Sequence, residues 1–258
     1  SKSHNFLILE LRDSQQVSRR KKEPEKKPDK SFELELWTWN EMEVPTLQRD
    51  GRYRQDKSVT YIYDIFSKKL TEVAPFTVDL LLPSGAENLN YVLYTDESPY
   101  KMQREWLDRL PFDIYSVNVH TGAKRLIGRS YRTAPKWSVN GKWAVMYDPI
   151  AQVWNKFDGA TGKVVNISDA IGYPMFVESY DKPAPAPAYG IAGWTADGNN
   201  VFLYDAYDWW KIDLTGERQP ECLTKGYGRK HGKSIRKMTS NIDKDVFQKD
   251  EKVIVSLW

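Results

Sequence analysis

Residues 137–148 read WSVNGKWAVMYD and residues 194–205 read WTADGNNVFLYD. Aligned without a gap, they share W-[ST]-x-[ND]-G, two variable positions, three apolar positions and Tyr-Asp. The repeat-defining residues are therefore Trp137, Gly141, Tyr147 and Asp148 in the first copy and Trp194, Gly198, Tyr204 and Asp205 in the second. Asn140-Gly141 and Asp197-Gly198 are dipeptides that supply the left-handed backbone of a tight hairpin. Each copy predicts a strand, a two-residue turn and a second strand.

A second hairpin follows each copy. Residues 153–158 (VWNKFD), Thr161-Gly162 and residues 163–167 (KVVNI) follow the first; residues 209–213 (WWKID), Thr215-Gly216 and a strand near residues 221–223 (ECL) follow the second. The same unit occurs earlier as residues 113–117 (DIYSV), Thr121-Gly122 and residues 124–127 (KRLI). A degenerate copy spans residues 61–66 (YIYDIF), 67–69 (SKK) and 70–73 (LTEV). The three Thr-Gly turns lie 40 and then 54 residues apart, a spacing that suits four-stranded propeller blades carrying insertions. The fold class is all-β, a β-propeller of four-stranded antiparallel blades. Units ending near Val73, Ile127, Ile167 and Leu223 make about four blades, and residues 235–258 make a partial one. Residues 5–11 open the chain without an innermost strand before them. The expectation is one propeller region over residues 1–258, excised from a larger protein.

Composition agrees with stacked sheets. Ten Trp, fifteen Tyr and nine Phe make up 13% of the chain. They alternate at period two in residues 32–39 (FELELWTW), 59–65 (VTYIYDI) and 201–205 (VFLYD), as strands half buried against a second layer do. Large flat side chains suit the wedge between neighbouring blades. Only residues 100–110 (YKMQREWLDRL) carry a helical period, with Met102, Trp106 and Leu110 on one side.

The net charge is +3, but residues 19–30 (RRKKEPEKKPDK) hold a local +4 and leave the remainder near −1. A run with no apolar residue cannot offset its ordering entropy by burial, so residues 18–31 are expected to form a mobile charged insertion loop. A polyanion-binding arm is its alternative. A nucleic-acid surface would spread its cations over a folded face, and no such partner is expected. No apolar run approaches the roughly 18 residues of a membrane span. Cys222, the single cysteine, excludes an internal disulfide framework. His4, His120 and His231 lack ligand spacing, so neither a metal nor a cofactor is expected.

The W-[ST]-x-[ND]-G-K-W-x-V-x-Y-D frame with its following Thr-Gly hairpin resembles the propeller repeats of the prolyl oligopeptidase and dipeptidyl peptidase family, and of TolB-like proteins. Residues 35–41 (ELWTWNE), followed by Leu47-Gln48, are similar to a segment of long bacterial members, in which a W-x-W stretch follows a charged insertion. The resemblance covers most of residues 32–258. It implies a parent serine peptidase whose catalytic Ser, Asp and His lie on a C-terminal α/β-hydrolase domain outside this chain. No catalytic residue carries over, and the chain alone is expected to be inactive. Some relatives hold a substrate amino terminus with an adjacent Glu pair, and no such pair occurs here. A periplasmic or extracellular location follows from the resemblance, with the cytoplasm left open.

Other motifs are weaker. Residues 232–236 (GKSIR) lack the final glycine of a nucleophile elbow. Residues 226–234 (GYGRKHGKS) miss the first glycine of a phosphate-binding loop, and the basic stretch 225–237 reads as a solvated connection between blades. Residues 181–189 (DKPAPAPAY) read as a stiff spacer. Asn166 begins a glycosylation sequon. Asp208, Trp209 and Trp210 form a candidate ligand surface of carboxylate and aromatic groups, against which stands a bracing role inside a blade. Three functions remain: a propeller gating oligopeptides to a hydrolase domain, a TolB-like protein-binding propeller, and a carbohydrate-binding propeller.

Overall fold

The structure, a computed structural model, describes residues 6–12, 38, 58–75, 79–81, 90–104, 106–107, 109–238 and 245–258. The charged insertion at 18–31 and the W-x-W segment, apart from Thr38, lie outside these residues. The first sheet contains β1 (Phe6–Arg12), β2 (Ser58–Asp64) and β3 (Lys69–Ala74). The second contains β4 (Asp79–Leu81), β5 (Tyr91–Asp96), β6 (Phe112–Asn118) and β7 (Lys124–Tyr131). The third runs through β8 (Lys136–Trp137), β9 (Trp143–Asp148), β10 (Val153–Asp158) and β11 (Val164–Asn166). The fourth repeats this with β12 (Ile191–Thr195), β13 (Asn200–Tyr204), β14 (Trp209–Asp213) and β15 (Glu221–Cys222). Within each of these sheets, neighbours in sequence pair antiparallel.

Then come β16 (Ile235–Lys237), β17 (Val246–Phe247) and β18 (Val255–Leu257). β16 and β18 pair antiparallel, whereas β17 lies parallel against β12. The expected partial blade is therefore divided: its middle strand extends the fourth sheet to five.

The sheets stack in chain order, which is what makes the molecule a propeller. Ile62, Val73 and Ala74 of the first sheet meet Val92, Tyr94 and Val117 of the second. Leu93, Phe112 and Ile114 meet Ala144, Met146 and Phe157 of the third. Val145, Tyr147 and Trp154 meet Trp194, Val201, Leu203 and Trp210 of the fourth. Phe202, Tyr204 and Trp209 meet Ile235 and Phe247. Odd and even positions of one strand thus face different neighbours, as the pleat requires. In β12 a bulge between Ile191 and Gly193 resets this alternation, so that Ala192 and Trp194 face opposite sides. The middle strands β5, β9 and β13 are buried on both faces; the half-buried pattern expected from sequence does not apply to them.

The two copies of the frame fold alike. Trp137 pairs with Ala144 and Trp194 with Val201, the same register in both. The connecting loops have four residues instead of two. Ser138 N–H closes the first by donating to the Trp143 carbonyl, and Gly141 N–H donates to the Ser138 carbonyl. Gly141 and Gly198 take φ of 66° and 68°, the left-handed region glycine adopts without a Cβ penalty. Asn140 and Asp197 each accept a backbone N–H two residues on, from Lys142 and Asn199. The Tyr-Asp end also has a local reason: Asp148 Oδ1 accepts the N–H groups of Ile150 and Ala151, and Asp205 Oδ1 those of Tyr207 and Asp208. These Asx turns steer the chain from second strand to third. The outer hairpins use the same device at Asp64, Asn118, Asp158 and Asp213.

Antiparallel order sorts the connections by end. Tight turns at 65–68, 119–123, 138–142, 159–163, 196–199 and 214–220 gather at one end of the stack. At the other lie the loops 97–111, 149–152 and 205–208 and the crossovers 132–135, 167–190 and 223–234.

Candidate functional site

The long-connection end holds the groups with chemistry to offer. A cleft of about 320 Å³ opens there, lined by Arg109, Arg132, Thr133, Tyr147, Pro149, Tyr180, Pro185 and Pro187. It is assembled from the loop before β6, the crossover into the third sheet, the β9–β10 corner and the proline-rich crossover. Arg109 Nη1 donates to the Arg132 carbonyl at 3.4 Å, tying the first two together. The Tyr147 hydroxyl donates to the Ala186 carbonyl at 3.2 Å, tying the last two.

The proline-rich segment, expected as a stiff spacer, forms part of the cleft wall. Its return is pinned: Val177 N–H donates to the Pro187 carbonyl at 2.8 Å, Phe176 and Ala188 form an antiparallel bridge, and Tyr189 Oη accepts the Glu178 N–H at 3.2 Å. Burial, with the nearby Asp148 charge adding to it, pushes the Tyr147 phenol up to about 12. That side chain is a neutral hydroxyl at neutral pH.

Asp208, Trp209 and Trp210 are not a surface. Their exposures are 1%, 5% and 9%, and each polar atom is committed inward. Asp208 Oδ1 accepts the Thr224 hydroxyl at 2.6 Å and the Gly228 N–H at 2.9 Å; its Oδ2 accepts the Arg229 N–H at 3.0 Å. Trp209 Nε1 donates to the Ile235 carbonyl, and Trp210 Nε1 to Asp205 Oδ2 at 2.9 Å. Asp205 Oδ2 also faces Arg229 Nη2 at 3.3 Å. A carboxylate filled with donors from its own fold has no free oxygen for catalysis or for a sugar hydroxyl. The ligand-surface reading of these three residues is thereby replaced by the bracing role.

What Asp208 braces is α1 (Tyr227–His231), a short helix that no local pattern of residues announces. Its closeness explains Gly228: a Cβ there would lie 2.6 Å from the carbonyl oxygens of Tyr207 and Lys233. Arg229 lies over the Tyr173 ring at 4.0 Å and Tyr207 at 5.1 Å, and Arg236 over Tyr204 at 4.7 Å and Tyr189 at 5.4 Å. Arg236 also donates to the Asp205 and Ala206 carbonyls. Burial pulls its pKa below the ordinary arginine value. The basic stretch is thus only partly solvated: Arg229 and Arg236 hold the blade interface, while Lys225, Lys230 and Lys233 are exposed.

Ser234 is likewise structural, its hydroxyl donating to the Ala206 carbonyl at 2.9 Å. The helix expected over residues 100–110 is a 3-10 turn at Ser98–Gln103, and Trp106 stands 78% exposed. Of the apolar side that the periodicity suggested, Leu110 is buried at 8% exposure while Met102, like Trp106, is left at the surface. Asn166 is occupied by its own turn, accepting the N–H groups of Ser168 and Asp169. Among the described residues, no group of three or more His, Cys, Asp or Glu side chains is placed to hold a metal, and no helix is long and apolar enough to cross a membrane. Arg109, Arg132 and Tyr180 escaped the sequence reading because they sit outside any motif.

No protein-family model and no curated protein matches the chain. Solved structures do. TolB from Acinetobacter baumannii is similar at 14% identity and a TM-score of 0.27 over 64% of this chain and 48% of that one. The β-propeller domain of the Trilobed protease from Pyrococcus furiosus is similar at 9% identity and a TM-score of 0.32, over 80% and 72%. A complex of KlAtg21 with the coiled-coil of AgAtg16 gives 12% identity and a TM-score of 0.35 over 79% and 58%. The chain spans about half the length of the TolB chain it matches. These are likenesses, and the propeller fold rests on the succession of stacked sheets.

Proposed function

We propose that this chain is the non-catalytic propeller of a serine peptidase of the prolyl oligopeptidase type, which restricts access to a separate hydrolase domain to short or unfolded peptides. The observation that carries the reading is the repeated W-[ST]-x-[ND]-G…Tyr-Asp frame, folded in one register in two neighbouring blades, on which the family resemblance rests. Further blades complete the ring in this account. Leu7, Ile8 and Leu11 on β1 and Ile254, Leu257 and Trp258 near β18 are exposed, apolar surface of the kind that neighbouring blades cover. Specificity arises by exclusion: the ring admits a chain only if it is narrow.

The test is to label the natural gene product with a fluorophosphonate, which reacts with an activated serine. The expected result is one labelled serine outside residues 1–258, and no labelling of this chain alone. A gene product that takes no label sinks the reading. A second reading, a protein-binding propeller in the manner of TolB, is favoured by one feature. Trp106, Ile150, Tyr173 and Tyr227 expose apolar surface at the long-connection end, where a docking partner would be met. Failure to label together with recovery of a stoichiometric partner selects it.

A further inference from the structure

The crossover from β15 into β16 carries more positive charge than the blade interface uses. Residues 222–238 hold six Lys and Arg and no acid. Three of the six turn inward. Arg229 Nη2 faces Asp205 at 3.3 Å, Lys237 Nζ faces Asp245 at 3.0 Å, and Arg236 donates to the Asp205 and Ala206 carbonyls. Lys225, Lys230 and Lys233 are exposed, and their ammonium groups meet no partner among the described residues.

Each of these three lysines is pinned at its own backbone nitrogen. The Lys225 N–H donates to the Cys222 carbonyl at 3.1 Å, the Lys230 N–H to the Gly226 carbonyl at 3.0 Å and the Lys233 N–H to the Gly228 carbonyl at 2.8 Å. Asp208 holds the middle of the loop through the Gly228 and Arg229 N–H groups. Charges displayed on a fixed backbone lose less freedom on binding than charges on a loose one. The same loop presents flat rings. Those of Tyr227 and His231, both exposed, lie 4.4 Å apart, and Arg229 lies 4.0 Å over the exposed ring of Tyr173.

The geometry points to a docking surface for an acidic segment of a partner protein. Its carboxylates meet Lys225, Lys230 and Lys233, and an apolar or aromatic side chain meets Tyr173 and Tyr227. The number of unpaired charges selects this partner over other anions. Nucleic acids are held through roughly six to ten phosphates, and anionic lipid surfaces by clusters of about four to eight cations. Three ammonium groups beside tyrosine rings suit a short run of carboxylates with an apolar neighbour, because lysine acts as a point charge and tyrosine as amphipathic contact area. The surface stands independently of the function proposed above.

The experiment uses the natural gene product, treated with fluorophosphonate so that no serine peptidase consumes the probe. The fluorescein-labelled peptide EEYEE and its neutral counterpart QQYQQ, both amidated, are compared by anisotropy at about 0.05 M salt, where surface charges are weakly screened. The acidic peptide is expected to bind at least about tenfold more tightly, since one exposed ion pair changes affinity by roughly 1.4- to 5-fold and three act together. Lys225→Gln, Lys230→Gln and Lys233→Gln combined should bring it to the level of the neutral peptide. Removing the same charge at the tight-turn end, with Lys68→Gln, Lys142→Gln and Lys163→Gln, all at exposed positions, should change binding by less than about twofold.

Equal binding of the two peptides, undiminished binding by the first triple variant, or an equal loss in the second overturns the assignment. So does tighter binding of hexathymidylate or of phosphatidylserine vesicles than of the acidic peptide, which makes this a surface for a nucleic acid or a lipid headgroup. So does the absence of binding at about 1 mM, weaker than a useful docking contact. The three ammonium groups make no contact among the described residues, so the first triple variant should keep the parent's thermal midpoint. If it does not, Lys230→Gln and Lys233→Gln singly, each expected to weaken binding about twofold, carry the test. None of these outcomes depends on peptidase activity, and a gene product that takes no fluorophosphonate label removes the proposed function while leaving the peptide comparison to stand or fall separately.

Discussion

Replacing Gly198 with alanine tests the contact between the third and fourth blades at a single atom. Gly198 has φ of 68°, and a Cβ placed there would lie 2.7 Å from both the backbone nitrogen and Cγ of Asn140 in the neighbouring blade. Asn140 Nδ2 donates to the Asp197 carbonyl at 2.8 Å and to Asn199 Oδ1 at 3.3 Å, so the turn that must shift is also the turn that is bonded. A left-handed L-residue costs about 1–2 kcal/mol. Overpacking against backbone adds about 1–3 kcal/mol, and a loosened hydrogen bond about 1 kcal/mol. Gly198→Ala should therefore destabilise by roughly 3–6 kcal/mol.

Gly172 provides the control. Its φ is 71°, nearly the same, and nothing lies within 4 Å of its Cβ position. Gly172→Ala should cost only the conformational part, about 1–2 kcal/mol. The two variants thus differ by about 2–4 kcal/mol. At roughly 2–4 °C per kcal/mol for a domain of this size, they should differ by about 4–16 °C in thermal midpoint, and in the same order in urea. Equal midpoints would refute the reasoning, because they would mean that the turn–turn contact between blades carries no stability.

Two further predictions concern buried groups. Asp205 is fully buried and accepts from Tyr207, Asp208, Trp210 and Arg229; Asp205→Ala leaves these donors unpaired and should cost about 3 kcal/mol or more in urea unfolding, whereas a loss below about 0.5 kcal/mol, the level of a neutral surface change, contradicts the bracing role. Burial raises the phenols of Tyr94 and Tyr147 from 10.0 to about 12, so the native chain keeps protons that the unfolded chain has released. Their stability is present below pH 10 and lost as pH rises toward 12; the urea midpoint should fall across that window and fall less steeply in Tyr147→Phe, and an identical slope in the variant rules out this tyrosine as a cause.

The parts of the fold that were legible in the sequence are those set by local turn chemistry. Asn140-Gly141, Asp197-Gly198 and the Asp or Asn residues opening each outer hairpin act within a few residues of themselves, so a linear reading finds them. Loop length was misjudged, since Asn-Gly suits both a two-residue turn and the four-residue turn that Ser138 closes. What depends on distant partners was not legible. β17 joins β12 by pairing Val246 with Trp194 and Phe247 with Thr195, which no local pattern specifies. The helical period at 100–110 is not realised as a helix, because of its apolar positions only Leu110 is taken into the core. Trp209-Trp210 reads alike as an exposed platform or a packed strand, and only the blades on either side decide. The cleft is the extreme case, since its two arginines come from separate connections and meet through the stacking alone.

The most direct test of the central claim is a comparison of two substrates by the natural gene product. One is a short unstructured peptide, and the other is the same sequence held within a folded protein. The account predicts rapid cleavage of the free peptide and none of the folded host, with cleavage of the host appearing once it is unfolded. Equal cleavage of peptide and folded host would contradict a propeller that works by exclusion, and cleavage of neither would remove the peptidase altogether.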